Sequence, residues 1–215
     1  MKKDLVEMVL ILDRSGSMSG LESDTIGGFN SLIDKQKKIE GDCMVTTVLF
    51  DDRYELLHDR INLRGVQPLT DKEYYVRGTT ALLDAVGKTL NKTINAVKHT
   101  AEDEKPEKIL FVITTDGYEN ASREYSFEKV KTLIENQRDN YGWEFIFLGA
   151  NIDAAETAIK FGISGNRAAN YHADSDGTSL NYRVLNDAVT SLRESKELKD
   201  DWKKEIDEDY VNRKK

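Results

Sequence analysis

The sequence predicts a Rossmann-like three-layer α/β sandwich, with a mostly parallel central sheet, one antiparallel edge strand and helices on both faces. Three observations predict it. Short runs of Val, Ile, Leu and Phe recur along the 215 residues, bounded by polar turns, as in strands buried on both faces. Between them lie longer stretches whose apolar residues repeat every three or four positions, as on helices with one buried face. The two kinds of segment alternate, and that alternation is the mark of a parallel sheet between helical layers.

Leu5 to Leu12 is the first strand, followed by a Ser- and Gly-rich loop from Asp13 to Gly20. A helix runs from Thr25 to Ile39, with Ile26, Phe29, Leu32 and Ile33 as its stripe. Met44 to Phe50 is the second strand, Asp51-Asp52-Arg53 a hairpin turn, and Tyr54 to Ile61 the edge strand. Strands joined so tightly must be antiparallel. The stretch from Asn62 to Gly78 is irregular and holds Pro68, one of 2 prolines.

Thr80 to Lys98 is the next helix, Glu102 to Glu107 a charged loop, and Lys108 to Thr114 a central strand. A helix from Glu124 to Arg138 turns Phe127, Val130 and Ile134 inward, and Trp143 to Leu148 is another buried strand. Asp153-Ala154-Ala155-Glu156 resembles a capping box opening a short helix to Phe161. Ala168 to Tyr171 is a final short strand and Thr178 to Arg193 the last core helix.

This divides the chain into one domain over 1–193 and a charged helical extension over 194–215. In the extension Leu198, Trp202, Ile206 and Tyr210 recur every four residues. The stripe predicts a helix docked on its own domain or, as the alternative, one that associates with a partner.

With 31 Lys and Arg against 39 Asp and Glu, the net charge is −8. An acidic domain repels a phosphate backbone, so nucleic acid is a poor default partner. A hydrophobic share of 39% beside 33% charged residues fits a packed core under a polar surface rather than disorder. The single cysteine, Cys43, rules out an intrachain disulfide. It lies in an apolar run and reads as a small buried hydrophobe, and His58, His99 and His172 stand in unremarkable contexts. The start, Met1-Lys2-Lys3-Asp4, does not read as a signal peptide, and its apolar run is cut off at Asp13. No stretch approaches the ~20 apolar residues of a membrane span. A cytoplasmic protein is expected.

Ligands of open α/β sheets bind at the carboxyl ends of strands, and Asp13 and Asp116 end the two most apolar strands. Asp13-Arg14-Ser15-Gly16-Ser17 carries three oxygen side chains at alternate positions, a spacing that can turn all three to one centre. Gly16 lets the backbone curl between them. One carboxylate with two hydroxyls is hard-oxygen ligation, suited to Mg²⁺, which takes about six oxygens near 2.1 Å and keeps waters readily. The absence of nearby cysteine or histidine argues against zinc or copper. Taken alone, the loop fits a helix cap and turn equally well.

Two further segments change that balance. The chain has Gly78-Thr79-Thr80-Ala81-Leu82-Leu83-Asp84-Ala85 and Thr114-Thr115-Asp116-Gly117. With the first loop, in this order, they resemble the von Willebrand factor A domain and its metal-ion-dependent adhesion site, over residues 5 to 193. The resemblance implies metal binding by Asp13, Ser15, Ser17, Thr80 and Asp116. It implies that the serines ligate directly and that the aspartates act directly or through water. Thr80 matches the family threonine because the Ala-Leu-Leu-Asp-Ala run follows it directly; Thr79, one place earlier, is the fallback. The implied cofactor is Mg²⁺, with Mn²⁺ and Ca²⁺ sharing its donor preference. The implied function is protein binding, in which a partner presents Glu or Asp to the metal. Two carboxylates only just neutralise the ion, and with one or both acting through water it stays electrophilic. The chain is similar to stand-alone intracellular members of bacterial or phage type.

Around this set, Asp84 reads as a supporting or helix-packing residue, and Asp51 and Asp52 as turn formers. Glu119, Asn120 and Asn151 are candidates for the rim. Arg14 is expected to face solvent, with contact to an acidic ligand as the alternative. Gly27 and Gly28 suggest a close approach of the first helix to the metal loop, or plain tolerance. The competing function is a phosphoryl-transfer or hydrolytic enzyme using Asp13 as nucleophile. Such chemistry wants a second carboxylate two residues on, where this chain has Ser15, and no Walker lysine or Ser/His/Asp set is placed to serve. The chain is therefore expected not to be an enzyme.

Overall fold

The computed structural model describes residues 1–195 and 197–213. Six strands form one sheet: β1 (Lys2–Asp13), β2 (Cys43–Phe50), β3 (Tyr54–Asn62), β4 (Pro106–Thr115), β5 (Glu144–Ala150) and β6 (Ala168–Tyr171), in the order β3-β2-β1-β4-β5-β6. β1 runs parallel to β2 and β4, and β5 parallel to β4 and β6. Among the described residues only the hairpin partner β3 is antiparallel, at the sheet edge.

Among the described residues six α-helices cover the sheet: α1 (Glu22–Gln36), α2 (Leu82–Lys98), α3 (Phe127–Tyr141), α4 (Ala154–Lys160), α5 (Ser175–Ser195) and α6 (Lys204–Arg213). The alternation of side chains along β1 separates two cores. Met8, Leu10 and Leu12 join residues of α1, α5 and α6 in one; Val9 and Ile11 join residues of α2, α3 and α4 in the other. The expected three layers are thus present. None of the helices among the described residues is long and apolar enough to cross a membrane.

Several boundaries move, each for a local reason. α1 starts at Glu22, earlier than Thr25, with Glu22 and Asp24 in its first turn, where acidic side chains suit the helix dipole. α2 starts at Leu82 rather than Thr80, because Thr80 and Ala81 are pulled out to bond Asn120 and Asp51. α3 starts at Phe127, not Glu124; the Ser126 hydroxyl caps it by accepting from the Lys129 amide at 3.3 Å. Phe127 therefore sits on the first turn, 37% exposed, with its ring edge-on to Phe161, instead of pointing into the core. Asp153 does cap α4, accepting from the Glu156 amide at 2.8 Å. Glu156 itself pairs with Lys160, which leaves half a capping box.

Gly28 is required by a close approach, but to a different neighbour from the one expected. A Cβ there would lie 2.1 Å from the Tyr182 ring of α5, whereas Gly27 has open space around it. The tail stripe is not one continuous helix, since α6 begins only at Lys204. Even so, Leu198 and Ile206 are buried in the α1/α5 core with Trp202 against it. The Trp202 indole donates to the Asn166 carbonyl at 2.9 Å, and the Tyr210 ring lies 4.9 Å from that of His172. The stripe docks on its own chain. Cys43 is buried, which pushes its thiol up to about 11 and makes it a poor nucleophile.

Candidate metal centre

Chain order reverses between β1 and β4: β1 is followed in the sheet by β2 on one side and by β4 on the other. This is the switch point at which open α/β sheets form a crevice. The register pairs Leu12 with Thr114, so the strands deliver Asp13 and the Thr115-Asp116 pair to the same edge.

Asp13 is buried and both its oxygens are occupied. Oδ1 accepts from the Ser15 amide at 2.7 Å, and Oδ2 accepts from the Thr115 hydroxyl at 2.6 Å. The first bond folds the loop back on the strand end. A 3₁₀ turn over Gly16–Met18 then brings the Ser17 hydroxyl 3.0 Å from that of Ser15. The Thr80 hydroxyl donates to the Ser15 hydroxyl at 3.0 Å. Thr80, Ser15 and Ser17 thus form a chain of hydroxyls. The β4 turn closes on it, since a Cβ added to Gly117 would lie 3.1 Å from the Ser17 oxygen and 3.4 Å from that of Thr80.

Asp116 differs from the other four. It is 2% exposed, and neither carboxylate oxygen has a hydrogen-bond partner among the described residues. Burial raises its pKa, with the nearby Ser17 hydroxyl offsetting part of the effect. Burial also pushes the Asp13 carboxyl up to about 6, against the opposing bonds from Thr115 and Ser15; the Asp116 charge adds to the rise.

Of the two threonines, Thr80 is buried in the hydroxyl chain and Thr79 is exposed. Asn120 holds Thr80 from both sides, accepting from its amide at 2.9 Å and donating to its carbonyl at 3.0 Å. The irregular segment before Thr80 straps the loop down. The Tyr74 hydroxyl donates to the Asp13 carbonyl at 2.5 Å, the Arg77 amide to the Arg14 carbonyl, and the Gly16 amide to the Gly78 carbonyl.

Three expectations are corrected. Arg14 does not face solvent: it is fully buried, donating to Asp51 at 3.1 Å, to Glu55 at 2.6 Å and to the Glu73 carbonyl at 3.1 Å. Asp51 does bind the Arg53 amide as a turn former would, but it is also the buried counter-ion of Arg14 and Arg77. Glu119 is no rim residue. Its carboxylate accepts from the Leu83 amide at the start of α2 and from Ser122 and Ala121 in its own loop. Asp84 supports the site as expected, gathering the backbone amides of Arg123, Glu124 and Tyr125. Burial would raise its pKa, but those three amides hold it below the ordinary value. Asn151 is exposed at the end of β5, in a left-handed conformation, and bonds none of the five.

Sequence reasoning missed Thr115 and Tyr74. Thr115 had a signal, as the second of two threonines following a five-residue apolar run; Tyr74, in a stretch without periodicity, had none.

Among the described residues no group of three or more His, Cys, Asp and Glu side chains is placed to hold a metal ion. The donors here are two carboxylates and three hydroxyls. Such a set fits a hard cation, and the unpartnered buried carboxylate of Asp116 gives a cation something to neutralise.

The fold is the one found in von Willebrand factor A proteins. No family model matches the sequence, and no curated protein matches it. Among solved structures the chain is similar to proximal thread matrix protein 1 of the mussel byssus, at 15% identity and a TM-score of 0.58, over 86% of this chain and 46% of that one. That protein has also been solved with zinc in its MIDAS motif. A von Willebrand factor type A protein from Catenulispora acidiphila matches at 11% identity and a TM-score of 0.57, over 86% and 42%. The manganese-loaded TRAP protein of Plasmodium vivax matches at 17% identity and a TM-score of 0.55, over 84% and 73%. The chain spans less than half the length of the first two proteins.

Proposed function

We propose that this chain is a metal-dependent protein-interaction module and not an enzyme. A divalent cation, Mg²⁺ by the hardness of the donors, would be held by Asp13, Ser15, Ser17, Thr80 and Asp116, and would grip a Glu or Asp of a protein partner. The cation supplies a Lewis-acidic centre that two carboxylates barely neutralise. The chain's own residues set its surroundings: Thr115 and the Ser15 amide fix Asp13, and Asn120 fixes Thr80.

The observation that carries this reading is Asp116. A buried carboxylate left without a hydrogen bond is costly, by about 1–3 kcal/mol, and a bound cation removes that cost. Two proteins of the same fold, described with manganese or zinc, support a divalent metal in general terms. Nothing in the geometry favours a nucleophilic Asp13, since it is buried with both oxygens hydrogen-bonded.

Calorimetric titration with Mg²⁺ tests the proposal. Wild type and Thr79→Ala are expected to bind, Thr80→Ala to lose about tenfold or more in affinity, and Asp13→Ala and Asp116→Ala to lose binding. Heats of binding that survive in both aspartate variants would sink the reading.

A further inference from the structure

Beside the proposed metal centre lies a pocket of about 540 Å³, walled by the β2–β3 turn, the start of α2 and the loop after β4. Thr79 and Asn120 line it, the immediate neighbours of Thr80 in the chain and in hydrogen bonding. The pocket and the hydroxyl chain therefore share a border.

The charges on its walls are not equivalent. Asp84 is satisfied by three backbone amides, and Glu124 is paired with Lys88 at 2.6 Å. Asp52 is exposed and carries no ion pair among the described residues. Arg53 and Arg123, on opposite walls, are exposed, and their guanidinium groups form no hydrogen bond or ion pair with any described residue. They stand out in a protein whose other arginines near this face, Arg14 and Arg77, are both engaged. A guanidinium presents paired donors matched to a carboxylate. The charged side chains of the lining, Arg53, Lys88 and Arg123 against Asp52, Asp84 and Glu124, balance in sum, so the match to an anionic group is local and lies in the uncommitted donors of the two guanidinium groups.

We propose that this pocket binds a second carboxylate of the same partner, so that the recognised segment is an acidic peptide. One acid would go to the metal, and another, a few residues away, to Arg53 and Arg123. The first contact rests on the metal reading of the preceding section; the second does not. Arg53 and Arg123 would then set specificity: with the metal alone any exposed acid suffices, and with the pocket a pair of acids at a fitting spacing is selected.

The probes are synthetic Gly/Ser peptides bearing one Glu, or two Glu separated by zero to five residues. Their affinities are measured on the full chain in Mg²⁺ and in EDTA. Controls are the Arg53→Gln/Arg123→Gln double variant and Arg64→Gln, an exposed arginine at the opposite end of the sheet. At one spacing the two-Glu peptide is expected to bind at least about tenfold more tightly than the one-Glu peptide. The double variant should reduce that advantage to less than about twofold without changing Mg²⁺ affinity, and Arg64→Gln should preserve it. Metal-dependent binding of one-Glu peptides with no gain from a second Glu would overturn the pocket and leave the metal reading standing. A gain that survives in the double variant would overturn the pocket as well. Binding of two-Glu peptides in EDTA that still needs both arginines would support the pocket and sink the metal reading. Peptides that bind under neither condition would overturn both.

Discussion

Arg14 and Asp51 form an ion pair closed off from solvent, Nε to Oδ2 at 3.1 Å, with no exposed surface on either side chain. Arg14 stands between Asp13 and Ser15, so this pair ties the proposed metal loop to the β2–β3 turn. Arg77 also pairs with Asp51, at 2.6 Å, and the Tyr75 ring lies 5.3 Å from both guanidinium groups. Removing one member of a buried pair is far more damaging than the pair's net worth, because the partner keeps its desolvation cost. Arg14→Met is expected to destabilise the fold by about 3 kcal/mol, read as a shift in urea midpoint. A change below about 0.5 kcal/mol, the range of an ordinary surface substitution, would show that Arg77 alone suffices.

Asp116 should show the reverse behaviour. Its buried carboxylate lacks a hydrogen-bond partner, so neutralising it removes a penalty from the metal-free protein. Asp116→Asn is expected to raise Tm in EDTA, by an amount corresponding to about 1–2 kcal/mol, and to abolish the further rise that Mg²⁺ gives wild type. A lower Tm in EDTA would mean that the charge is already compensated.

The raised pKa of Asp13 gives a pH dependence. Its folded-state value is about 6 against an ordinary 3.8, with burial as the main cause. A carboxyl raised on folding holds its proton more tightly in the native state. Its contribution to stability is therefore fully present below about pH 4 and is lost as the pH rises through about 6. Metal binding requires the deprotonated form, so Mg²⁺ affinity should climb between pH 5 and 6.5 and level off above. Calorimetry in buffers of different ionisation enthalpy should show close to one proton released at pH 5 and few at pH 7.5. Equal release at both values would contradict the assignment.

The sheet, its one antiparallel edge and the alternation of layers were legible because strand burial and helical periodicity leave strong marks on sequence. The five candidate metal residues could be named because Asp13, Ser15, Ser17 and Asp116 lie at or just beyond strand ends and Thr80 just before a helix, all in recognisable segments; that they bind metal is the proposal. What surrounds them was not legible. Arg14 looked like a surface residue because its counter-ions, Asp51 and Glu55, come from a separate hairpin, and only folding brings them together. Glu119 looked like a rim residue because the α2 amide it caps lies 36 positions earlier. Tyr74 carried no signal, since its role is a single hydrogen bond to a backbone carbonyl. Local pattern reports which face of an element is buried; it does not report which polar groups meet across the sequence.

The two adjacent glycines of α1 test this distinction within one helix. Both carry the same entropic cost in a helix interior, yet their surroundings differ. Gly27 is exposed with nothing near its missing Cβ, while a Cβ at Gly28 would lie 2.1 Å from the Tyr182 ring. Tyr182 is buried in the core formed by α1 and α5, so its ring cannot swing aside without disturbing that packing. Gly27→Ala is expected to stabilise the protein by about 0.5–1 kcal/mol through helix propensity. Gly28→Ala should cost about 1–3 kcal/mol through overpacking, despite the same gain in propensity. Urea unfolding of the two variants decides it, and equal midpoints would mean that α1 and α5 are not held as closely as the Tyr182 contact requires.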